Sequence, residues 1–516
     1  MNANSKTEAP ATRMKTARGK QRSAVALGHE SPNTSSPEGM KGIGKLPSGW
    51  EWKTIPDLVS DDGVFIDGDW VESKDQDPNG DVRLIQLADV GDGVYRDKSD
   101  RFMTKAKAEE LRCTFLKEGD VLIARMPDPL GRACIFSGDA KPSVTVVDVA
   151  VVRSANGEFD HRWLACFVNA HPFRSAISGL QAGSTRKRIS RGNLATIPLP
   201  VPPLPEQRRI VAEIEKEFTR LEAGVTALRR VQANLKRYRA AVLKAACEGR
   251  LVPTEAELAK TGNKKPKFET GEALLVRILT ERRKNWQGRG KYEEPVATDS
   301  TELPSLPEGW IYATVEQLGI VGEQAVLTGP FGTNLGRADF TDAGVPMLTI
   351  SCLKDTGIQV AKTQFVSEEK ARELDRYRLT PGDLLFSRMA SVGRAGIIGE
   401  PLRGALFNYH IMRLRLEPSV LLAKFYLAYV RGSDQVEDYL REVNHGATRA
   451  GINTEQLLNM PVALPPLAEQ TRIVAEVDRR LSVVEELEAA VSANLQRATR
   501  LRQSILQKAF TGQLKE

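Results

Sequence analysis

The sequence predicts an α+β protein in which two globular domains alternate with two long helices, the helices packing as an antiparallel coiled coil and the whole being one unit written twice with a pseudo-two-fold internal repeat. Three observations carry this. PPLPEQRRIVAEIEK begins at Pro202 and PPLAEQTRIVAEVDR at Pro465, an offset of 263 residues. Directly after each segment, apolar residues fall into rows with a sevenfold step. Ahead of each, short apolar runs of strand length are separated by glycine turns.

The repetition extends outward from the proline segments. LPSGWEW at Leu46 recurs as LPEGWIY at Leu306, and LKEGDVLIARM at Leu116 as LTPGDLLFSRM at Leu379. GRA at Gly131 recurs at Gly393, GSTRKRIS at Gly183 as GATRAGIN at Gly446, and AACEGRL at Ala245 as KAFTGQL at Lys508. The order along the chain is then a tail (1–45), a globular domain (46–205), a long helix (206–251), a connector (252–305), a second globular domain (306–468) and a second long helix (469–516).

Each element has a local reason. The tail is rich in Ser, Thr, Gly, Lys and Pro without periodicity, the composition of a disordered, partly basic segment. In the globular domains, Thr104 and Ser367 precede KAKAEEL and EEKAREL and are placed to cap a helix. Gly-Asp turns at Gly119 and Gly382 lead into the strands VLIAR and LLFSR, and RLIQLADV and PMLTISCL are read as further strands. The helices begin at Pro205 and Pro466, where proline is tolerated, and no proline interrupts them. Ile214, Leu221, Leu228, Leu235 and Val242 form one seam row, with Val211, Phe218 and Val225 beside it. The second copy reads Val477, Val484, Val491, Ala498 and Ile505, beside Val474, Leu481, Glu488 and Leu495, and Glu488 breaks its row. In the connector, KTGNKKPKFET reads as a loop and GEALLVRILTERRKNW as a short amphipathic helix. If the two rods packed parallel, the globular domains would crowd one end; packed antiparallel, they stand apart.

Composition narrows the function. The chain of 516 residues has 73 basic and 66 acidic side chains, a net charge of +7 that leans toward an anionic partner without proving one. The five cysteines form no CxxC pair and accompany no His cluster, which argues for reduced thiols, a cytoplasmic location and no zinc site. No stretch approaches the ~20 apolar residues that span a bilayer. GMKGIGKL at Gly39 spells most of a phosphate-binding loop, but Leu46 stands where Ser or Thr is needed and no apolar strand precedes it. VPPLP and LPPLA lack the amide or carboxylate before the prolines that amino-methyltransferases use, so no catalytic role is expected of this chain.

The duplicated PLPxxEQxxIVAxI segment, the long helix ending in GxL and the LPxGW openings resemble the specificity subunit of type I restriction–modification enzymes, over about residues 46 to 516. The resemblance implies that the globular parts are target recognition domains, each reading one half of a split, asymmetric sequence in double-stranded DNA. It implies that the helices set the spacing and dock two methyltransferase (M) subunits, with restriction/translocase (R) subunits as further partners. S-adenosylmethionine, ATP and Mg then belong to those partners, and no cofactor to this chain. The tail departs from a minimal member of the family. A coiled-coil adaptor whose globular ends bind proteins is the alternative.

The resemblance places GSTRKRIS and GATR where each domain hands over to its helix. Thr185, Arg186, Thr448 and Arg449 suit phosphate or base contacts, because arginine can donate to two acceptors at once; a turn with a capping threonine fits them equally. Lys187, Arg188 and Arg191 occur in the first copy alone, as DNA-facing charge or as a solvated face. Arg125 and Arg388 end equivalent strands and either face DNA or pair with Asp120 and Asp383. Trp50 and Trp310 are expected in the core. Glu206-Gln207 and Glu469-Gln470 are expected to satisfy helix starts or to hold the repeats together.

Overall fold

The computed structural model describes residues 43–511 and 513, apart from 60, 128, 184–186, 262–267, 288–290, 332–333, 390 and 446–449. The tail expected over 1–45 lies outside them except for its last three residues. Of these, Ile43 is buried together with Leu46 in a hydrophobic core, so the globular part begins earlier than the composition shift suggests. The chain divides into two compact units, one holding residues up to 223 and from 498 onward, the other holding 224–497. The division cuts through both long helices instead of falling at the domain boundaries read from the sequence.

In unit one, Val64–Asp67, Val149–Arg153, Val121–Ala124 and Ala133–Ile135 form a four-stranded antiparallel sheet in that order. Strand Val121–Ala124 is buried on both faces. Val121 and Ile123 face a core with Trp163 and Phe167, while Leu122 and Ala124 face Ile85, Cys134 and Val151. Two buried faces explain an unbroken apolar run where a half-exposed strand would alternate. A smaller sheet joins Phe102–Met103, Val82–Ile85 and, in parallel, Ser143–Thr145. Glu51–Lys53 pairs with Leu199–Val201 and brings the two ends of the domain together.

Unit two repeats the plan. Val326–Thr328, Ile411–Leu414, Leu384–Ser387 and Ala395–Ile397 give the same strand order. Leu384 and Phe386 face one core and Leu385 another. Ile311–Thr314 pairs with Pro461–Leu464. Thr104 and Ser367 cap their helices, accepting from Lys107 N at 3.2 Å and Lys370 N at 3.1 Å. Gly119 and Gly382 hold the turns into the central strands at φ of 92° and 94°, where a Cβ would be strained.

Two strand readings were too long. RLIQLADV is extended only to Ile85, because the Asp89 carboxylate turns back to accept from Gln86 N at 2.7 Å and from Lys98 N and Ser99 N at 2.6 and 2.7 Å. PMLTISCL is extended to Leu348 and then tightens into a 3₁₀ turn over Ile350–Cys352.

The long helices span Leu204–Cys247 (α1) and Leu467–Phe510 (α2), 44 residues each, about 65 Å at ~1.5 Å per residue. They are antiparallel in both units. In unit two, Leu235 packs with Val484 and Val491, flanked by Leu228 and Leu495, and Arg239 lies 3.1 Å from Glu488. The break in the apolar row is therefore filled by an ion pair across the seam. In unit one, Arg502 lies 3.4 Å from Glu222 and over the ring of Phe218 at 4.3 Å. The end of α1 is buried in unit two with Phe425, Tyr426 and Tyr429, whereas the end of α2 is buried in unit one with Trp163, Phe167 and Phe173.

The connector helix Gly271–Lys284 packs Leu274, Leu275 and Ile278 into unit two, as its amphipathic pattern predicts. A further helix, Glu255–Thr261, was not read from the sequence. Its signal is TEAE: Glu257 N donates to Thr254 Oγ1 at 3.1 Å, and Thr254 N donates back to Glu257 at 2.8 Å.

Candidate nucleic-acid interface

The handover between domain and rod is built alike in both copies. Trp50 Nε1 donates to Glu206 at 3.1 Å, and Trp310 Nε1 to Glu469 at 2.9 Å. Gln207 Oε1 accepts from Asp160 N at 2.9 Å while its amide donates to Pro202 O at 2.9 Å. Gln470 does the same with Leu422 N at 2.9 Å and Pro465 O at 2.9 Å, adding Val420 O at 2.8 Å. The tryptophans are thus core anchors with their one polar atom tied. The Glu-Gln pairs clamp domain to rod. Glu469, fully buried, has its carboxyl pushed up by that burial, against hydrogen bonds from Glu255 N and Trp310 that favour the charge.

The arginines at the strand ends occupy equivalent backbone positions. Arg125 N donates to Asp148 O and Arg125 O accepts from Ile189 N; Arg388 N donates to His410 O and Arg388 O accepts from Ile452 N. Neither pairs with the aspartate suggested by sequence. Asp120 holds Arg153 at 2.5 Å and Asp383 holds Arg415 at 2.7 Å, the same ion pair in both copies.

What surrounds the two arginines differs. In unit one, Arg125 lies 3.1 Å from Asp67 and donates to the carbonyls of Ile189 and Val147, leaving its side chain 13% exposed. Asp67 also faces Arg191 at 4.0 Å, and Arg191 donates to Phe65 O at 3.3 Å. Arg125 is therefore committed within the domain, while Arg191 keeps an exposed face and Lys187 and Arg188 are exposed beside it. Ser190 caps the short helix Arg191–Ala195.

In unit two, threonines replace the charged pair. Thr328 has the register position of Asp67, and Thr454 lies 263 residues beyond Arg191; their hydroxyls meet at 3.0 Å. Arg388 donates through Nε to Ile452 O at 3.3 Å and has no carboxylate partner among the described residues. Its guanidinium lies 5.6 Å from the ring centroid of Phe331. Phe331 is 56% exposed and stacks with Tyr409 at 6.0 Å, and Tyr409 meets His410 at 3.9 Å. Burial and the nearby Arg388 charge both hold the His410 pKa below its ordinary value, favouring the neutral ring.

Thr185, Arg186, Thr448 and Arg449 lie outside the described residues. Phe331, Tyr409 and His410 were not singled out from the sequence; the signal was an aromatic between glycines in GPFG and the NYH triplet at a strand start. Among the described residues no cluster of His, Cys, Asp and Glu is arranged to hold a metal, and no helix is long and apolar enough to cross a membrane.

Comparison with known proteins places this arrangement. The profile of the Type I restriction modification DNA specificity domain matches residues 47–227 and 333–497. The chain is 25% identical over 379 residues to the EcoBI specificity subunit of Escherichia coli, covering 73% of this chain and 70% of that one. To the EcoKI specificity subunit of Escherichia coli (strain K12) it is 27% identical over 359 residues, covering 68% and 65%. These matches span about two thirds of the relatives' length. A solved chain from work on complex assembly and conformational transition of the type I R-M system shares the fold, with a TM-score of 0.61 at 20% identity over 91% of this chain and 100% of that chain.

Proposed function

Because the chain belongs to the type I restriction–modification DNA specificity family, we propose that it is the DNA-reading subunit of such a complex. Each globular domain reads one half of a bipartite, asymmetric target, and α1 and α2 set the distance between the halves and dock two methyltransferase subunits. S-adenosylmethionine, ATP and Mg serve those subunits and the restriction/translocase subunits, while this chain supplies recognition and no catalysis.

The observation that carries the reading is the contrast between equivalent positions. Two domains with the same strand order and the same clamp to the rod hold Asp67, Arg191 and Asp148 in one copy and Thr328, Thr454 and His410 in the other. A shared frame with unlike polar groups at one place suits two readers of unlike sequences. Docking is supported by Val231, Tyr238, Val483 and Leu487, which stand 42 to 49% exposed on the helices within unit two. Apolar side chains that far into water on a two-helix seam offer a third helix a surface.

The test is selection from a random DNA pool by the chain purified with its methyltransferase partners. The expected result is two short defined segments separated by an undefined gap of constant length. Phosphate contacts should make binding fall steeply with salt. Protection of a single continuous, sequence-indifferent patch would refute the proposal, and salt-insensitive association with protein alone would favour the adaptor.

A further inference from the structure

We infer that Arg388 and the Phe331–Tyr409 stack form a base-reading site of the second globular domain, taking a guanine edge against the arginine and the adjoining base step against the aromatic ledge. This rests on the DNA-reading function proposed above and assigns it to specific side chains.

The argument begins with what the second copy lacks. In the first copy Asp67 neutralises Arg125 and two backbone carbonyls take its terminal amino groups, so that arginine is closed off. In the second copy the position of Asp67 is Thr328, whose hydroxyl is engaged with Thr454. Arg388 keeps one bond, from Nε to Ile452 O, and among the described residues its two terminal amino groups have no partner. Those amino groups are the pair that can donate in parallel to two acceptors, and in the major groove guanine presents O6 and N7 side by side.

The aromatic ledge fixes where the guanidinium lies. Phe331 has the Arg388 guanidinium 5.6 Å from its ring centroid and stacks with Tyr409 at an interplanar angle of 24°. Tyr409 is backed in turn by His410, whose carbonyl accepts from Arg388 N and whose own N–H donates to Asn408 Oδ1 at 3.2 Å. Gly329, two residues before Phe331, lies so close to Asn408 that a Cβ would meet its carbonyl oxygen at 2.3 Å, so the strand turn and the NYH turn are pressed together. The ring of Phe331 is therefore positioned by its neighbours while staying 56% exposed. An exposed aromatic face flanked by a cation is the surface on which bases and their methyl groups pack. An ordinary packing role would bury such a ring, and Phe331 is more than half in water.

The experiment uses the full chain with its methyltransferase partners and a random DNA pool, with Arg388→Gln, Arg388→Lys, Phe331→Ala and Phe331→Tyr. Both Arg388 variants should lose the preference for guanine at one position of one half-site, with the other half-site selected as in wild type. Arg388→Lys keeps the charge, so its failure to select guanine separates base reading from electrostatic attraction. Phe331→Ala should weaken specific binding about tenfold and leave the salt dependence unchanged, and Phe331→Tyr, which keeps the ring, should bind as wild type. The inference is overturned if all four variants select the wild-type sequence with wild-type affinity. It is also overturned if Arg388→Gln weakens binding to every sequence alike and lowers the salt slope by about one, the signature of a phosphate contact. If the wild-type complex itself selects no sequence, the proposed function fails and this assignment with it.

Discussion

Phe510, the last residue of α2, lies with its ring centroid 4.9 Å from Phe167 and 6.3 Å from Trp163, inside the core of the first globular domain. Its equivalent 263 residues earlier is Cys247, the last residue of α1, whose thiol meets the carbonyls of Ala428 and Tyr429 at 3.6 and 3.7 Å in the second domain. Each rod thus ends in the core of the other repeat's domain, and only antiparallel helices reach it. The two ends differ in size. The large Phe510 meets a helix carrying Trp163 and Phe167, and the small Cys247 meets one carrying Phe425, Tyr426 and Tyr429.

Phe510→Ala should therefore destabilise unit one by about 3–5 kcal/mol, the usual loss for a buried phenylalanine. Cys247→Ala removes a single sulfur and should lower the stability of unit two by only about 1 kcal/mol. Urea unfolding of the full chain, followed by tryptophan fluorescence, reads both. Equal losses would show that the size of the terminal side chain does not set its contribution. Gly432→Val is a sharper probe of the same contact in unit two, because a Cβ there would fall 2.5 Å from Leu243 Cβ and 2.6 Å from its backbone carbon.

Acidification should weaken both units in the range just below neutral. His161 in unit one and His410 in unit two have pKa values held below the ordinary 6.5, in each case chiefly by burial. The unfolded chain takes up these protons near pH 6.5, and the folded chain takes them up only at lower pH. Stability is thus greatest above 6.5 and falls as the pH drops through that value toward the folded-state pKa. Unfolding midpoints measured between pH 7.5 and 5.5 should fall, and His161→Gln and His410→Gln should each flatten the slope for the unit that carries it.

The seam makes its own prediction at Glu488. The carboxylate sits in an apolar row and is matched by Arg239 at 3.1 Å, both partly exposed. An ion pair in that setting contributes about 0–1 kcal/mol. Glu488→Leu restores the row and should be neutral or stabilising by up to about 1 kcal/mol, whereas Arg239→Glu sets three carboxylates together with Glu485 and Glu488 and should lower the melting temperature. A marked loss with Glu488→Leu would show that the pair does more than fill the row.

The frame of this protein was legible because the chain states it twice. The LPxGW openings, the Glu-Gln pairs and the sevenfold rows are local patterns, and repetition separates them from chance. The tryptophans were legible as core residues, but their bonds to Glu206 and Glu469 were not, because the indoles recur 260 residues apart and the carboxylates 263. What surrounds Arg125 and Arg388 was not legible, because it is made by strands distant in sequence. Asp67, Asp148, Ile189 and Arg191 come together only through the sheet, as do Thr328, Phe331, Tyr409 and Thr454. The acids that sequence suggested, Asp120 and Asp383, were taken by Arg153 and Arg415 from neighbouring strands. Strand ends suffered similarly: nothing in RLIQLADV announces that Asp89 folds back on Gln86, Lys98 and Ser99.

The spacing role proposed for the helices yields the most direct test of the proposed function. Leu228 and Leu495 both pack against the cluster of Leu235, Val484 and Val491. A seven-residue insertion between Leu228 and Leu235 in α1, matched by one between Glu488 and Leu495 in α2, keeps the apolar rows in phase and lengthens both rods by about 10 Å. On a duplex rising ~3.4 Å per base pair, the gap between half-sites should grow by about three base pairs. The half-site sequences should stay as they were, because the insertion leaves Arg191, Phe331 and Arg388 untouched. Insertion into one rod alone offsets the two rows and should destabilise the pair without defining a new gap. Sequencing of the DNA selected by the matched variant decides the matter: an unchanged gap, or altered half-sites, would show that something other than the rods sets the distance.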